Sequence, residues 1–264
     1  MNKWTAARIK ELKGKEKFAC LTASDYAAAR LIDQANLPLI LVGDSLAMTV
    51  LGYETTLPVT MEEMLHHTAA VVRGVERALV VADMPFMSYQ ASIEEALANA
   101  GRFIKQAGAE AVKIEGGAFR APLVRSLVQN GIPVLGHIGL TPQSIRQAGG
   151  YKVQGRQAAD AARLLADAAE LNEADIFALV LECVPAELGA EITRSVGVPT
   201  IGIGAGAVCD GQILVTHDLL GLNTGHVPKF VKQYAALADE MREAFEAYRK
   251  EVAAGTFPST VHQY

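Results

Sequence analysis

Leu79-Val80-Val81-Ala82-Asp83 is a run of aliphatic residues that ends in a carboxylate, and the pattern recurs along the chain. Leu39-Ile40-Leu41-Val42-Gly43-Asp44 precedes it; Val112-Lys113-Ile114-Glu115 and Leu179-Val180-Leu181-Glu182 follow it. A strand covered on both faces reads as a nearly unbroken apolar run, which is the signature of a parallel sheet rather than of a half-exposed antiparallel one. In barrels of alternating strands and helices, functional side chains collect at the strands' C-terminal ends. These four acids are therefore expected on one rim.

Outward from these runs, strand-like segments centre near Leu21, Leu41, Val80, Val112, Val134, Leu179 and Ile201. Each gap between them has room for a helix. An eighth strand falls within Gly211 to Leu220, where Gln212-Ile213-Leu214-Val215 suits strand or helix equally. Helices are predicted over Ser92 to Gln106, closed by Gly108, over Arg156 to Leu171, and on the surface over the Lys-rich Arg8 to Lys17. Tyr234, Leu237, Met241, Phe245 and Tyr248 form one apolar helical stripe, expected to pack on the barrel in preference to another subunit. The length of 264 residues is close to the ~250 typical of such barrels. The expected fold is α/β: a single (β/α)8 TIM-type barrel over residues 1–264, with an N-terminal helix and an additional C-terminal helix.

Composition narrows the function. The formal net charge of −5, with no Lys/Arg cluster, disfavours nucleic acid, whose phosphates require a basic face. No apolar run approaches the ~20 residues that span a bilayer. Met1-Asn2-Lys3-Trp4-Thr5 lacks the apolar core of a secretion signal, so a cytoplasmic enzyme is expected. Cys20, Cys183 and Cys209 lie far apart and are read as buried thiols.

Asp44, Asp83 and Glu115 supply hard oxygen ligands from three strand ends, which suits Mg²⁺ with water and substrate completing its shell. As a set of isolated acids they equally suit helix caps. Lys113 and Glu115, two apart on one strand, point to the same side, and a lysine inside a barrel needs an anion. That anion is Glu115 alone or also a substrate carboxylate. Glu182 stands apart from the other three in chain order, as a general base or a fourth ligand. His137 joins the rim as a hydrogen-bonding neighbour of the ligands. The adjacent His66-His67 pair points ~100° apart on a helix and is read as structural. Gly202-Ile203-Gly204-Ala205-Gly206 lacks dinucleotide-loop spacing and reads as a tight rim turn. Gly149 to Arg156, glycines bracketing polar and basic residues, reads as a lid or an ordinary flexible loop.

Longer motifs carry a resemblance. Val42-Gly43-Asp44-Ser45-Leu46, Leu57-Pro58-Val59-Thr60, Val112 to Gly117, Gly136 to Gln143, Gly149 to Gly155, Leu181 to Pro185, Ile201 to Gly206 and Asp210 to Val215 resemble, in order, those of the ketopantoate hydroxymethyltransferase family. The resemblance runs from about Phe18 to Lys229. Ala47 stands where the family usually has Gly, and Ser24 where Tyr is common. The resemblance implies a phosphoenolpyruvate-mutase-like barrel, one Mg²⁺ per subunit, and transfer of a one-carbon unit from methylenetetrahydrofolate to α-ketoisovalerate, yielding ketopantoate for pantothenate synthesis. Matched by position, it places metal ligands at Asp44, Asp83 and Glu115, substrate contacts at Asp44, Ser45, Asp83 and Lys113, and the proton acceptor at Glu182. It also implies a homodecamer.

Two other readings share these residues. A metal-dependent carbon–carbon or carbon–phosphorus lyase on the same barrel would act on another 2-oxo acid and need no folate. A catalytically silent barrel would bind small molecules without turnover.

Overall fold

The computed structural model describes residues 3–223, 225 and 227–264. Met1 and Asn2, part of the opening stretch read against a secretion signal, lie outside the described residues. The chain forms two compact units, one running to Val215 and one from Thr216 to Tyr264.

The first unit is a closed parallel barrel of β1 (Phe18–Thr22), β2 (Leu39–Val42), β3 (Leu79–Asp83), β4 (Ala111–Glu115), β5 (Val134–Gly139), β6 (Ala178–Glu182), β7 (Thr200–Ile203) and β8 (Gly211–Leu214), paired in chain order. The undecided segment at 211–214 is thus a strand, and it closes the barrel by pairing Gly211 with Phe18. A Cβ at Gly211 would press into the Phe18 ring.

Alternation sorts the strand residues into two apolar clusters. Val80 and Ala82, Val112 and Ile114, and Leu179 and Leu181 face the surrounding helices. Leu79 and Val81, Ala111, Leu135, and Ala178 and Val180 fill the barrel interior. The inward rows continue into Asp83, Lys113 and Glu115, His137, and Glu182. One parity therefore packs the lower barrel and arms its upper mouth.

The Lys-rich N-terminal helix is shorter than expected, Ala6–Lys10, and is not purely a surface element. Ile9 is fully buried among the interior residues, with Trp4 and Leu12 packed alongside, so this segment plugs the barrel's lower end. Beyond it Asp210 ties the segment to the sheet: its carboxylate accepts from the Gly14 N–H at 3.0 Å and the Thr200 N–H at 2.9 Å.

Ser92 caps the helix Ile93–Arg102 by accepting the Glu95 N–H, after which a π-helical turn, Phe103–Ala107, ends at left-handed Gly108. The helix predicted over Arg156 to Leu171 spans Ala158–Glu173. Thr60 and Glu63 form a reciprocal capping box at the head of Met61–Gly74. On that helix His67 Nδ1 lies 2.6 Å from the Ser24 carbonyl, a structural role as expected. Gly204 and Gly206 take left-handed conformations in the turn after β7. Ala47 sits buried inside the short helix Leu46–Thr49, where alanine is at least as well suited as glycine.

The second unit holds the helices Thr216–Leu219 and Leu237–Ala253, linked through a Tyr234 N–H to Leu219 carbonyl bond of 2.8 Å. No residue of the long helix is buried, and Phe245 and Tyr248 are 65% and 59% exposed. Tyr234 and Met241 of the predicted stripe are likewise exposed. No helix among the described residues is long and apolar enough to cross a membrane.

Candidate active site

Adjacent strands bring the charged residues into register: Asp83 pairs with Lys113, Glu115 with His137, and Gly139 with Glu182. Asp44 enters from the turn after β2, where its N–H donates to Asp83 Oδ2 at 3.1 Å. Lys113 Nζ donates to both Asp83 oxygens, at 2.6 and 2.8 Å, and lies 3.8 Å from Glu115 Oε1. Asp44, Asp83, Lys113, Glu115 and His137 are all buried. Ser45 is half-buried at the head of Leu46–Thr49, and its hydroxyl makes no capping hydrogen bond.

The carboxylates are unequal. Burial pushes the Asp44 carboxyl well above its ordinary range, and the charges of Asp83 and Glu115 push it further. Burial also raises Asp83, with Lys113 opposing. Glu115 is buried too, but His137, Lys113 and the Gln143 N–H outweigh burial and hold it below its usual value. Burial and the Lys113 charge oppose protonation of His137, yet its contacts with Glu115 and Glu182 lift its pKa to about 9. Its Nδ1 lies 3.4 Å from Glu115 Oε1 and its Nε2 3.2 Å from Glu182 Oε2. Neither contact is a hydrogen bond, and both ring nitrogens and Glu115 Oε1 are buried without a hydrogen-bond partner. A protonated His137 pairs with both carboxylates and so bridges β4, β5 and β6.

Glu182 is held by its backbone. Its carbonyl accepts the Leu140 N–H at 2.8 Å, beside Gly139 at φ 96°, where any Cβ would collide with that carbonyl. The following Cys183 has φ 48°, a strained conformation for a residue with a side chain. Cys20 and Cys209 are buried as expected, whereas Cys183 is only half-buried. Its thiol is pushed up to about 12 by burial and the Glu182 charge, which makes it a poor nucleophile.

The glycine-bracketed loop after β5 reaches this mouth. Gln154 N–H donates to the Cys183 carbonyl at 2.8 Å, and the Tyr151 hydroxyl meets Met48 Sδ at 3.7 Å. Burial raises the Tyr151 hydroxyl pKa, and so do the charges of Glu182, Asp44 and Glu115. The loop thus overlooks the acids.

Sequence reading assigned no role to Gln143, Tyr89 or Gln90. Gln143 belongs to a quoted motif, yet nothing in its spacing signals a buried amide that touches two of the acids: its side chain reaches Asp44 and its N–H reaches Glu115.

Asp44, Asp83 and Glu115 thus meet at one mouth with a single lysine among them, an anionic excess of hard oxygens. Among the described residues no three or more of His, Cys, Asp and Glu form a ready-made metal cage. The donor chemistry nevertheless fits Mg²⁺, which binds through one or two carboxylates and keeps several waters. The unpartnered Glu115 Oε1 and the crowded Asp44 carboxyl are the groups a cation would relieve.

Comparison with known proteins addresses the family of the chain. A family model described as ketopantoate hydroxymethyltransferase matches residues 3–260. A relative from Syntrophus aciditrophicus (strain SB), named 3-methyl-2-oxobutanoate hydroxymethyltransferase, is 56% identical over 263 residues, 99% of this chain and 97% of its own. One of the same name from Clostridium novyi (strain NT) is 58% identical, covering 94% of this chain and 90% of its own. Among solved structures, a 2,3-dimethylmalate lyase of the PEP mutase/isocitrate lyase superfamily aligns with TM-score 0.62 at 16% identity, over 98% of this chain and 89% of its own. A phosphonopyruvate hydrolase in complex with oxalate and Mg²⁺ aligns with TM-score 0.63 at 13% identity, over 97% and 92%. These two likenesses speak to the barrel alone. By its near-complete match to the family model and to relatives more than half identical, the chain belongs to the ketopantoate hydroxymethyltransferase family.

Proposed function

We propose that this chain transfers a hydroxymethyl group from methylenetetrahydrofolate to α-ketoisovalerate, forming ketopantoate for pantothenate biosynthesis. One observation carries the reading within the family: the mouth is divided. Lys113 pairs with Asp83 and Glu115 on one side, with Asp44 tied to Asp83 through its N–H, and Glu182 stands across His137 on the other.

The divided mouth suits proton abstraction next to a ketone. Lys113, buried and kept charged by Asp83, Glu115 and Asp44, offsets the negative charge of a keto acid. Asp44, Asp83 and Ser45 border the place where that acid would lie. Asp44, Asp83 and Glu115 would hold a Mg²⁺, which when bound would supply Lewis-acid stabilisation for negative charge on a keto oxygen. Glu182 accepts the C3 proton, with protonated His137 beside it to steady the carboxylate. The resulting enolate carbon bonds to the methylene carbon of the folate as one of that carbon's two C–N bonds breaks, and a water then displaces the second nitrogen, supplying the hydroxyl oxygen and releasing tetrahydrofolate. Tyr151 and its loop border this mouth.

The remaining expectations join this proposal: one catalytic domain over 1–264, a homodecamer and a cytoplasmic location. The assembly is open to analytical ultracentrifugation.

The test is proton NMR of α-ketoisovalerate in deuterated water with enzyme and Mg²⁺, first without and then with the folate. Wild type should exchange the C3 hydrogen without folate and form product only with it. Glu182→Gln should retain keto acid binding and lose exchange by roughly 10²–10⁴-fold, the usual contribution of a general base. Exchange retained in Glu182→Gln would remove that residue from the role, and product formed without the one-carbon donor would favour a lyase.

A further inference from the structure

Gln143 is 5% exposed and makes five hydrogen bonds at the mouth, four through its side-chain amide. The amide Nε2 donates to Asp44 Oδ2 at 3.0 Å and to the Met84 carbonyl at 2.9 Å. The amide Oε1 accepts from the Tyr89 hydroxyl at 2.7 Å and from Gln90 Nε2 at 3.1 Å. Its backbone N–H donates to Glu115 Oε2 at 3.0 Å. Every donor and acceptor of the side chain is used.

This network has a fixed polarity. The Tyr89 hydroxyl oxygen accepts the Glu115 N–H at 3.3 Å, and of the two acceptors its own proton can reach, Gln143 Oε1 at 2.7 Å is much closer than the Glu115 carbonyl at 3.4 Å. Turning the amide over would set Oε1 against the Met84 carbonyl and the Asp44 carboxylate, oxygen facing oxygen. Nε2 would then face the Gln90 donors. The amide therefore presents an N–H to Asp44, and a neutral one, which orients that carboxylate without competing with a cation for its charge. Through the backbone N–H the same residue holds one oxygen of Glu115 and leaves Oε1 free of hydrogen bonds. A single residue after β5 thus links the ends of β2, β3 and β4.

We propose that Gln143 is a positioning residue for the site: it sets the directions of the Asp44 and Glu115 carboxylates, with Tyr89 fixing the sense of the amide. The proposal rests on the functional reading above, in which those carboxylates face a divalent cation and a keto acid. A glutamine that serves only as satisfied core polarity would share the contacts, but its loss would lower stability without moving the Mg²⁺ requirement.

The experiment measures α-ketoisovalerate binding by calorimetry across a range of Mg²⁺ concentrations, with thermal melts of the metal-free protein alongside, for wild type, Gln143→Met, Gln143→Glu and Tyr89→Phe. Partners of metal ligands change metal affinity by ~10–100-fold when removed. Gln143→Met should raise the Mg²⁺ concentration at half-maximal binding within that range. Gln143→Glu, nearly isosteric but without donors for Asp44 and Met84, should raise it at least as far. Tyr89→Phe, which keeps the amide and frees its orientation, should shift it in the same direction but less. If Gln143→Met is folded and retains the wild-type Mg²⁺ dependence, the positioning role is overturned and the functional reading stands. If Gln143→Met does not fold, Tyr89→Phe decides: an unchanged dependence overturns the role, and a raised one supports it. A wild-type chain that binds keto acid with no Mg²⁺ dependence overturns the functional reading and this role together.

Discussion

Replacing Lys113 with methionine tests the electrostatics of the mouth most directly. The ammonium lies 2.6 Å from Asp83 Oδ1 and 3.8 Å from Glu115 Oε1, and the three side chains are only 5%, 2% and 3% exposed. Lys113→Met keeps most of the apolar stem and removes the charge, leaving buried carboxylates that face one another. Removing one partner of a buried ion pair costs about 3–5 kcal/mol, because the orphaned charge stays desolvated. A Coulomb figure of about 4 kcal/mol for unit charges 4 Å apart at an effective dielectric of 20 agrees with that range. For a chain of this size each kcal/mol moves the melting temperature by about 2–4 °C, so the metal-free variant should melt roughly 6–20 °C below wild type. Differential scanning calorimetry in chelator reads this shift, with the exposed loop substitution Lys152→Met as a control expected to leave it unchanged. Added Mg²⁺ should restore more stability to Lys113→Met than it adds to wild type, since a cation would relieve repulsion that the lysine no longer relieves. A metal-free Lys113→Met that melts within about 2 °C of wild type would show that the carboxylates are not under the mutual repulsion inferred here.

Two further outcomes follow from the scaffold. The Asp33 carboxylate accepts backbone N–H bonds from Ala78 at 2.7 Å, Arg77 at 3.0 Å and Glu76 at 3.1 Å, anchoring the entry to β3. Asp33→Ala orphans these donors and should cost about 2–4 kcal/mol in urea unfolding at neutral pH. Burial raises the Asp33 pKa, but the three N–H groups and the Arg77 charge outweigh it and leave the folded value below the unfolded one. Its stabilisation is therefore present above the unfolded pKa of ~3.9 and is lost as pH falls through the lower folded value, so the gap between variant and wild type should narrow in acid. A gap that stays constant down to acid pH would refute the assignment. Gly139→Ala puts a methyl group against the Glu182 carbonyl at a left-handed backbone position. It should destabilise by more than about 1 kcal/mol and depress C3 exchange through displacement of Glu182; an unchanged urea midpoint with normal exchange would rule this out.

Much of the barrel and its rim can be read from strand parity. Leu79, Val81 and Asp83 share a face because they lie two apart, and so do Ala111, Lys113 and Glu115, and Ala178, Val180 and Glu182. An acid that continues an inward apolar row must end at the barrel mouth, which is why these residues stood out. β8 is ambiguous in sequence because four residues with an exposed Gln212 contain too little alternation to separate strand from helix. The plug at Ile9 is illegible in the sequence for a related reason. The lysines around it describe a solvated segment, and only the open lower end of the barrel, a product of all eight strands, gives the isoleucine somewhere to bury.

Gln143 marks the deeper limit. Parity orders residues along one strand, whereas convergence depends on the angular position of each strand around the barrel and on the path of the loops above it. Asp44 illustrates the difference, since it lies two residues beyond β2 and has no strand parity of its own. Its carboxylate is directed by an amide 99 positions later in the chain. A polar residue after a proline in a rim loop is most simply solvent-exposed, and nothing local distinguishes that state from one in which four neighbouring groups saturate its amide. The distinction is energetic. An amide buried without partners costs roughly 1–3 kcal/mol, so Gln143 is tolerated at depth only because Asp44, Met84, Tyr89 and Gln90 are all in place. By the same reasoning its burial is informative about them: the network closes only when the acid is oriented, which makes the state of this one amide a readout of the geometry of the mouth.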